Sequence, residues 1–429
     1  MPSSPPPDFE STSEEVFEES RSVDAPSSPI PQVYQVDLDE SLIDPDAAKV
    51  VRRLARQGHE AYLVGGCVRD LLVERRPKDF DVATSARPDD VRRLFRNSRI
   101  IGRRFRLVHV LFGGGKVIET ATFRRAPEES TGRDGDDLLI RNDNVFGEAH
   151  EDAQRRDFTI NGLFYDLERH EVIDWVSGMP DIERRSVHTI GNPMVRFLED
   201  PVRILRAIKF SARLDFGISP EVYDAIVSCR FALKRAAKPR LFEEVLRLMR
   251  GGAAHRSFWI AWETGVLDVL LPELSTYLAD RDEADDVVWR LLSELDRRTA
   301  EGLVPDDTLL WAALLLEPLR EACEGTRDRV EAAAEFLEPI IDRLNVPRRI
   351  ADPVRRVIAI LPRLESGRGG RFTRSGLYPL AAELASLRAS CLDDSAADEE
   401  STFVESGEEA AAAPARRKRR RRRRPRAEA

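Results

Sequence analysis

"LVGGCVRDLLVERRPKDFDVAT" (63–84) is the stretch on which the fold turns. It reads as a strand, a glycine turn, a helix and then a second strand at "DFDVAT". The second strand raises a physical question, because Asp79 and Asp81 stand two residues apart with Phe80 between them. Strand side chains alternate, so the two carboxylates share one face while Phe80 and Val82 point to the other. Two ionised carboxylates about 7 Å apart along one pleated face repel unless a positive charge sits between them. Alone, Asp-x-Asp is more often a solvated edge strand or a turn than a site. The surrounding motifs give it meaning.

The 429 residues suffice for two or three domains with a substantial core. Residues 1–35 are rich in Pro, Ser and Glu and lack a basic start and apolar core, so they read as a disordered arm and not a secretory signal. No apolar run approaches the roughly 20 residues that span a bilayer, and "LLWAALLLEPL" (309–319) sits among charged helices. Cys67, Cys229, Cys323 and Cys391 have neither pairing nor metal spacing, in keeping with a reduced, cytoplasmic protein without a membrane role. The formal net charge of −9 hides an asymmetry. Acid collects near the N-terminus and in 392–410, and "RRKRRRRRRPR" (416–426) follows. So dense a basic block is an interaction tail, and its natural partner is a polyanion such as RNA. Neutralising the acidic segment beside it is the plainer alternative.

Five regions follow from the pattern: an arm (1–40), a mixed α/β head (41–185), a helical neck (186–250), a helical body (251–390) and a tail, acidic then Arg-rich (391–429). The fold class is therefore α+β, a small mixed-sheet head followed by all-helical domains with disordered termini. Within the head, "RPDDVRRLFR" reads as a helix with acid near its start. Residues 103–125 alternate on both sides of Gly113–Gly114–Gly115, the mark of a β-hairpin. "GGGK" there is not a phosphate loop, since the Gly-x4-Gly-Lys-Ser/Thr pattern is missing and Lys116 leads into a strand.

Four clusters carry chemistry. Gly65 and Gly66 let backbone N–H groups approach a phosphate at a helix start, and Arg69 in the first turn offers a fork of donors. Most glycine turns do no more than cap a helix. Asp79 and Asp81 supply the hard oxygens that suit Mg²⁺, which takes further ligands from substrate phosphates; Glu119 in "VIETATF" is a third carboxylate within reach of a neighbouring strand. "EDAQRRDFTINGLFYD" (151–166) places Arg155, Arg156 and Asp157 before an apolar run containing Asn161, which alone reads as a surface salt-bridge cluster. "LEDPVRILRAIKF" (198–210) spaces Asp200, Arg203, Arg206 and Lys209 three apart, roughly along one stripe of a helix, which alone reads as a solvated basic face.

These four motifs in this order, with "RLFEE" (240–244), resemble the class II nucleotidyltransferases, the family of bacterial poly(A) polymerases and CCA-adding enzymes of transfer RNA. The resemblance runs from about residue 60 to 250. It implies a template-independent transferase in which Asp79 and Asp81 hold catalytic Mg²⁺ and activate an RNA 3′-hydroxyl for attack on the α-phosphate of ATP. It also implies that Gly65, Gly66 and Arg69 cradle the triphosphate and that Arg156 contacts the nucleotide. Asp157 would be a further essential carboxylate. Asp200 and Arg203 would read the base edge, with Arg206 and Lys209 near the phosphates. Lys209 is a departure, for many relatives carry Arg there, and Lys lacks the bidentate fork. "RIIGRRFRLVHVLF" (99–112), with Gly102, Arg103 and Arg104, is similar to the segment that marks the poly(A) polymerase branch. The expected activity is therefore poly(A) polymerase acting on RNA 3′ ends. CCA addition is the alternative, and a non-catalytic RNA-binding protein on a degenerate transferase fold is a third reading.

Overall fold

The computed structural model describes residues 30–102, 106–125, 145–279, 281, 287–367 and 370–392. Within them the chain forms two compact units, one from residues up to 248 together with 256–270, the other from 249–255 together with residues from 271 onward.

The first unit is built on a mixed sheet of β1 (Gln32–Gln35), β2 (Ala61–Val64), β3 (Asp81–Thr84), β4 (Ser98–Ile101), β5 (Leu107–Leu111), β6 (Val117–Thr122), β7 (Leu163–Asp166) and β8 (Glu171–Asp174). Their spatial order is β1-β8-β7-β2-β3-β6-β5-β4. β3 and β6 run parallel; the other neighbours run antiparallel. β5 and β6 form the hairpin expected around the three glycines, which fold as a single tight turn at Gly113–Gly115. Lys116 leaves that turn to reach Asp44 and Asp46 at 2.6 and 3.0 Å. This lysine ties the hairpin to the start of α1 (Pro45–Arg56) and binds no phosphate loop. Asp44 caps α1 by accepting from Asp46 N and Ala47 N, and Ala47, Val50, Val51 and Leu54 turn its apolar stripe inward.

α2 (Gly66–Leu72) follows β2, and α3 (Pro88–Leu94) opens on Pro88 with Asp89 and Asp90 in its first turn. One face of the sheet closes over Val64, Ala83, Phe123 and Phe164 with Ala149 and Ala153 of α4 (Ala149–Gln154). Then come α5 (Gly178–Glu183), α6 (Pro193–Glu199), α7 (Arg203–Leu214), α8 (Pro220–Cys229) and α9 (Lys238–Arg250). A short parallel pair, β9 (Ser186–Val187) with β10 (Gly217–Ile218), interrupts this otherwise helical stretch.

Two boundaries differ from the sequence reading. β3 starts at Asp81, so Asp79 and Phe80 lie just ahead of it, although the alternation holds: Phe80 is buried and both aspartates are exposed. Residues 32–35, assigned by composition to the disordered arm, pair with β8 as an edge strand. Three of its four residues are exposed, so backbone hydrogen bonding and not apolar burial holds it, and no hydrophobic pattern announces it. Residues 1–29, Arg103–Phe105, 126–144 and 393–429 lie outside the described residues, and with them most of the arm and tail and Arg103 and Arg104 of the branch-marking segment.

α10 (Ala254–Glu263), α11 (Val266–Leu270) and α12 (Pro272–Ala279) continue the chain. The second unit contains α13 (Val287–Ala300), α14 (Asp307–Leu314), α15 (Leu316–Ala322), α16 (Arg329–Leu344), α17 (Arg348–Glu365) and a last helical stretch over 378–392. The apolar run at 309–319 divides between α14 and α15, and Trp311 within it is fully buried. Among the described residues no helix is long and apolar enough to cross a membrane.

Candidate active site

Gly65 turns the chain from β2 into α2 with φ 75° and ψ −129°, a conformation that favours glycine. A Cβ there would stand 2.8 Å from Arg156 Nη1. The glycine thus admits a guanidinium against the backbone, a demand that the turn alone does not reveal. Gly66 is less constrained, for its Cβ would meet Arg69 at an ordinary 3.6 Å.

The carboxylates lie one strand away. Asp81 sits opposite Glu119 in the parallel β3–β6 pair, and Glu119 faces His109 across β5–β6 at 3.4 Å. Asp81 is open to solvent, yet the protein packed around it displaces much of its water. That desolvation, followed by the charges of Glu119 and Asp79, pushes its carboxyl up to about 6, with Arg156 opposing. Cys67 behind the turn is pushed up to about 12 by burial and then by Asp81. Among the described residues no three His, Cys, Asp or Glu side chains already cage an ion. What exists is an open set of hard oxygens whose charge the protein leaves largely uncompensated. That donor set fits a divalent cation that keeps waters and completes its shell from a substrate.

Around this centre the polar side chains form a connected network. Arg69 lies beside the turn, with Nη2 3.6 Å from where a Gly66 Cβ would stand. It is buried, donates Nε and Nη2 to Asp70 at 2.9 and 2.6 Å and Nη1 to Asn161 at 2.5 Å, and its guanidinium lies over Phe210. Burial pulls its pKa below the usual arginine value, with Asp70 opposing. Asp70 also accepts from Arg213 of α7 at 3.1 Å. Arg156 donates to Asp152 at 3.2 and 3.0 Å and to the Asn161 carbonyl at 3.3 Å. Arg155 reaches Asp152 at 3.4 Å. Asn161 is the hub that motif reading passed over. It accepts from Arg69, donates to Asp157 at 3.1 Å and lends its carbonyl to Arg156. Its one sequence signal is an amide inside an otherwise apolar run.

Asp157 accepts from Phe158 N and Asn161 on one oxygen and from Arg206 at 2.5 Å on the other. Burial by itself would raise its pKa, but Arg206, Asn161 and Arg203 outweigh that and hold it well below the carboxylate range. Its cationic partner Arg206 lies on α7, and the structure does not join Asp157 to Asp79 and Asp81. Lys209 and Arg203 of α7 are held similarly, as is Asp200, which the structure places at the end of α6 and not, as the spacing suggested, on the α7 stripe. Lys209 pairs with buried Glu244 of α9 at 3.1 Å, and burial followed by Arg206 pushes its pKa down to about 8. Asp200 accepts a two-point contact from Arg240 of α9 at 2.9 and 2.6 Å. Arg203 is buried and donates to the Arg196 carbonyl and Glu199 at 3.0 and 2.9 Å. Arg240 and Asn161 thus join the site through long-range partners, Asp200 and Arg69, that no local spacing reveals, whereas Glu199 meets Arg203 four residues on.

Two family models match the chain: the Poly A polymerase head domain over residues 61–188 and the probable RNA and SrmB-binding site of polymerase A over 215–278. Poly(A) polymerase I of Salmonella typhimurium is 38% identical over 366 residues, covering 81% of this chain and 78% of the relative. That of Haemophilus influenzae is 37% identical over 339 residues, covering 75% of each. A CCA-adding enzyme of a Geobacillus species is 36% identical over 253 residues, covering 59% of this chain and 60% of its own. Among solved structures, the Bacillus stearothermophilus CCA-adding enzyme in complex with CTP superposes with a TM-score of 0.52 at 26% identity, covering 81% and 83% of the two chains. The Thermotoga maritima CCA-adding enzyme shares the fold at a TM-score of 0.54 and 20% identity, covering 83% and 85%. With its mixed-sheet head, helical remainder and similarity across most of both chains, this protein belongs to the poly(A) polymerase and CCA-adding enzyme family of nucleotidyltransferases.

Proposed function

We propose that the enzyme is a template-independent poly(A) polymerase, transferring AMP from ATP to RNA 3′ ends. One observation carries the choice of branch: poly(A) polymerase I relatives align over about four fifths of both chains, CCA-adding enzymes over about three fifths. In the reaction a bond forms between the RNA 3′ oxygen and the α-phosphorus. The bond from that phosphorus to pyrophosphate breaks, and the hydroxyl proton passes to solvent.

Asp79 and Asp81 would hold Mg²⁺, with Glu119 placed to assist; the ions would polarise the phosphate and the attacking hydroxyl. Arg156, held against Gly65 and adjacent to the carboxylates, is placed to neutralise charge that builds on the triphosphate. Arg69 supports it from behind by fixing Asn161. The Asp157–Arg206 pair positions α7, so that Asp200 and Arg203 can meet the base and Lys209 the phosphates. Asp200 and Arg203 both begin with protein partners, so reading a base requires exchanging Arg240 or Glu199 for the nucleotide. We place the protein in the cytoplasm, with the Arg-rich tail as an additional RNA contact.

The test is primer extension with Mg²⁺ on a generic RNA and on a transfer RNA lacking its 3′ end, each nucleotide supplied singly and then CTP with ATP. A long ladder from ATP alone on both RNAs is expected. Two C and one A followed by a stop, on the transfer RNA only, would establish CCA addition instead. RNA binding without any incorporation would reduce the protein to a binding module.

A further inference from the structure

The second unit contains a recess of about 790 Å³ between the start of α16 and the later turns of α17, with Phe372 in its lining. Its polar lining is unusual for this unit. Arg327, Arg329, Arg356 and Arg363 surround it, with Asp328 the sole acid in the lining. That aspartate is already committed, because it caps α16 by accepting from Val330 N and Glu331 N at 3.0 and 3.1 Å. Among the described residues none of the four guanidiniums has a carboxylate partner.

Elsewhere in the unit many arginines are matched, while Arg348, Arg349 and Arg374 stand singly on the exposed surface. Arg250 meets Asp307, Arg297 and Arg298 meet Glu294, Arg343 meets Glu273, and Arg388 meets Glu317. A chain with more acid than base thus leaves four positive charges together around one recess. Arg356 and Arg363 are seven residues apart on α17 and share a face about 10 Å long. The positive end of the 16-residue α16 opens on the same recess. Phe372 is half-buried and offers an aromatic surface beside these cations. Unpaired guanidiniums flanking an aromatic ring suit a phosphodiester chain with an unstacked base.

We infer that this recess binds single-stranded RNA, as a contact surface in the helical body separate from the segment matched by the RNA-binding family model. The inference rests on the RNA-extending activity proposed above, and its test keeps the two apart. Arg356 and Arg363 are exposed, so Arg356→Gln/Arg363→Gln leaves the core intact, which an unchanged melting curve checks. The probe is a fluorescent 30-nucleotide single-stranded RNA bound by the full chain from 50 to 300 mM salt, with ATP addition to the same RNA at saturation measured in parallel. The expected result is an affinity loss of about tenfold at low salt, a salt slope flatter by about 1.4 and an unchanged rate at saturating RNA. Phe372→Ala should weaken binding about tenfold without altering the slope, and Phe372→Tyr should restore it. Unaltered binding by the arginine pair, in a protein that still binds and extends RNA, overturns the recess and spares the activity. Equal losses toward double-stranded DNA with no effect of Phe372→Ala would make the recess a generic polyanion surface and overturn the assignment to single strands. A wild-type chain that binds no RNA would bring down the proposed function itself.

Discussion

Asp81 is where the electrostatics of single residues decide most. Its carboxyl is pushed up to about 6, first by desolvation and then by Glu119 and Asp79, against about 3.9 for a free aspartate. A carboxyl whose folded pKa exceeds its unfolded value costs stability once ionised, so that cost grows as pH rises from about 4 to about 6 and is complete above. Solvent at this exposed side chain screens much of it. Asp81→Asn should therefore stabilise the metal-free protein by about 1 kcal/mol at pH 7.5 and have no effect near pH 4, while abolishing nucleotide addition. Thermal unfolding in chelator across that range measures this, and a destabilised variant at pH 7.5 would contradict it. The Asp79/Asp81 pair was legible in the sequence because strand alternation is local. Arg156, the cation that tempers the pair, was not placed there by any rule of spacing, since its approach depends on the missing Cβ of Gly65.

At the scale of the element, α7 shows the same division. The three-residue spacing of Arg203, Arg206 and Lys209 announced a charged stripe, and the structure forms one. Arg203 meets Glu199 four residues before it, but the spacing could not give the other partners: Asp157 lies 49 residues before Arg206, Glu244 lies 35 after Lys209, and Arg240 lies 40 after Asp200. Phe210, read as an apolar helix residue, has Arg69, Arg206 and Lys209 about its ring at 4.9, 5.3 and 5.0 Å. Burial and Arg206 together push Lys209 down to about 8. A lysine depressed in this way costs stability while protonated, and the cost is relieved as pH rises from about 8 toward its free value near 10.4. Function should move the opposite way, because a neutral Lys209 no longer attracts phosphate. The KM for ATP should rise roughly fivefold between pH 8 and pH 9 with kcat little changed. Lys209→Arg, which stays charged and adds a fork, should remove that alkaline limb. Parallel pH profiles for the two proteins would show that Lys209 serves the Glu244 contact alone.

For the whole molecule, the distribution of charge matters more than its sum. A protein of net charge −9 that works on a polyanion must gather its positive charge locally. The head and neck do this around α7, but there nearly every cation has an acidic partner, which suits a site that exchanges partners for substrate. Long-range attraction must come from elsewhere. Residues 415–429 hold ten basic residues and one Glu, and their composition was as legible as the glycine turn because no folding is needed to read it. The division of the helical half into a second compact unit was less so, since helical periodicity shows that a face is buried without showing against what. Deleting 415–429 should weaken binding of generic RNA at low salt and flatten its salt dependence in proportion to the phosphates released, about 0.7 per contact on a single strand. The rate on saturating RNA should stay the same, because the tail contributes to capture and not to the chemistry. Titrations from 50 to 300 mM salt, paired with single-turnover extension, separate those two effects. An unchanged slope would mean that the tail is neutralised by the acidic stretch before it, leaving RNA capture to the folded units.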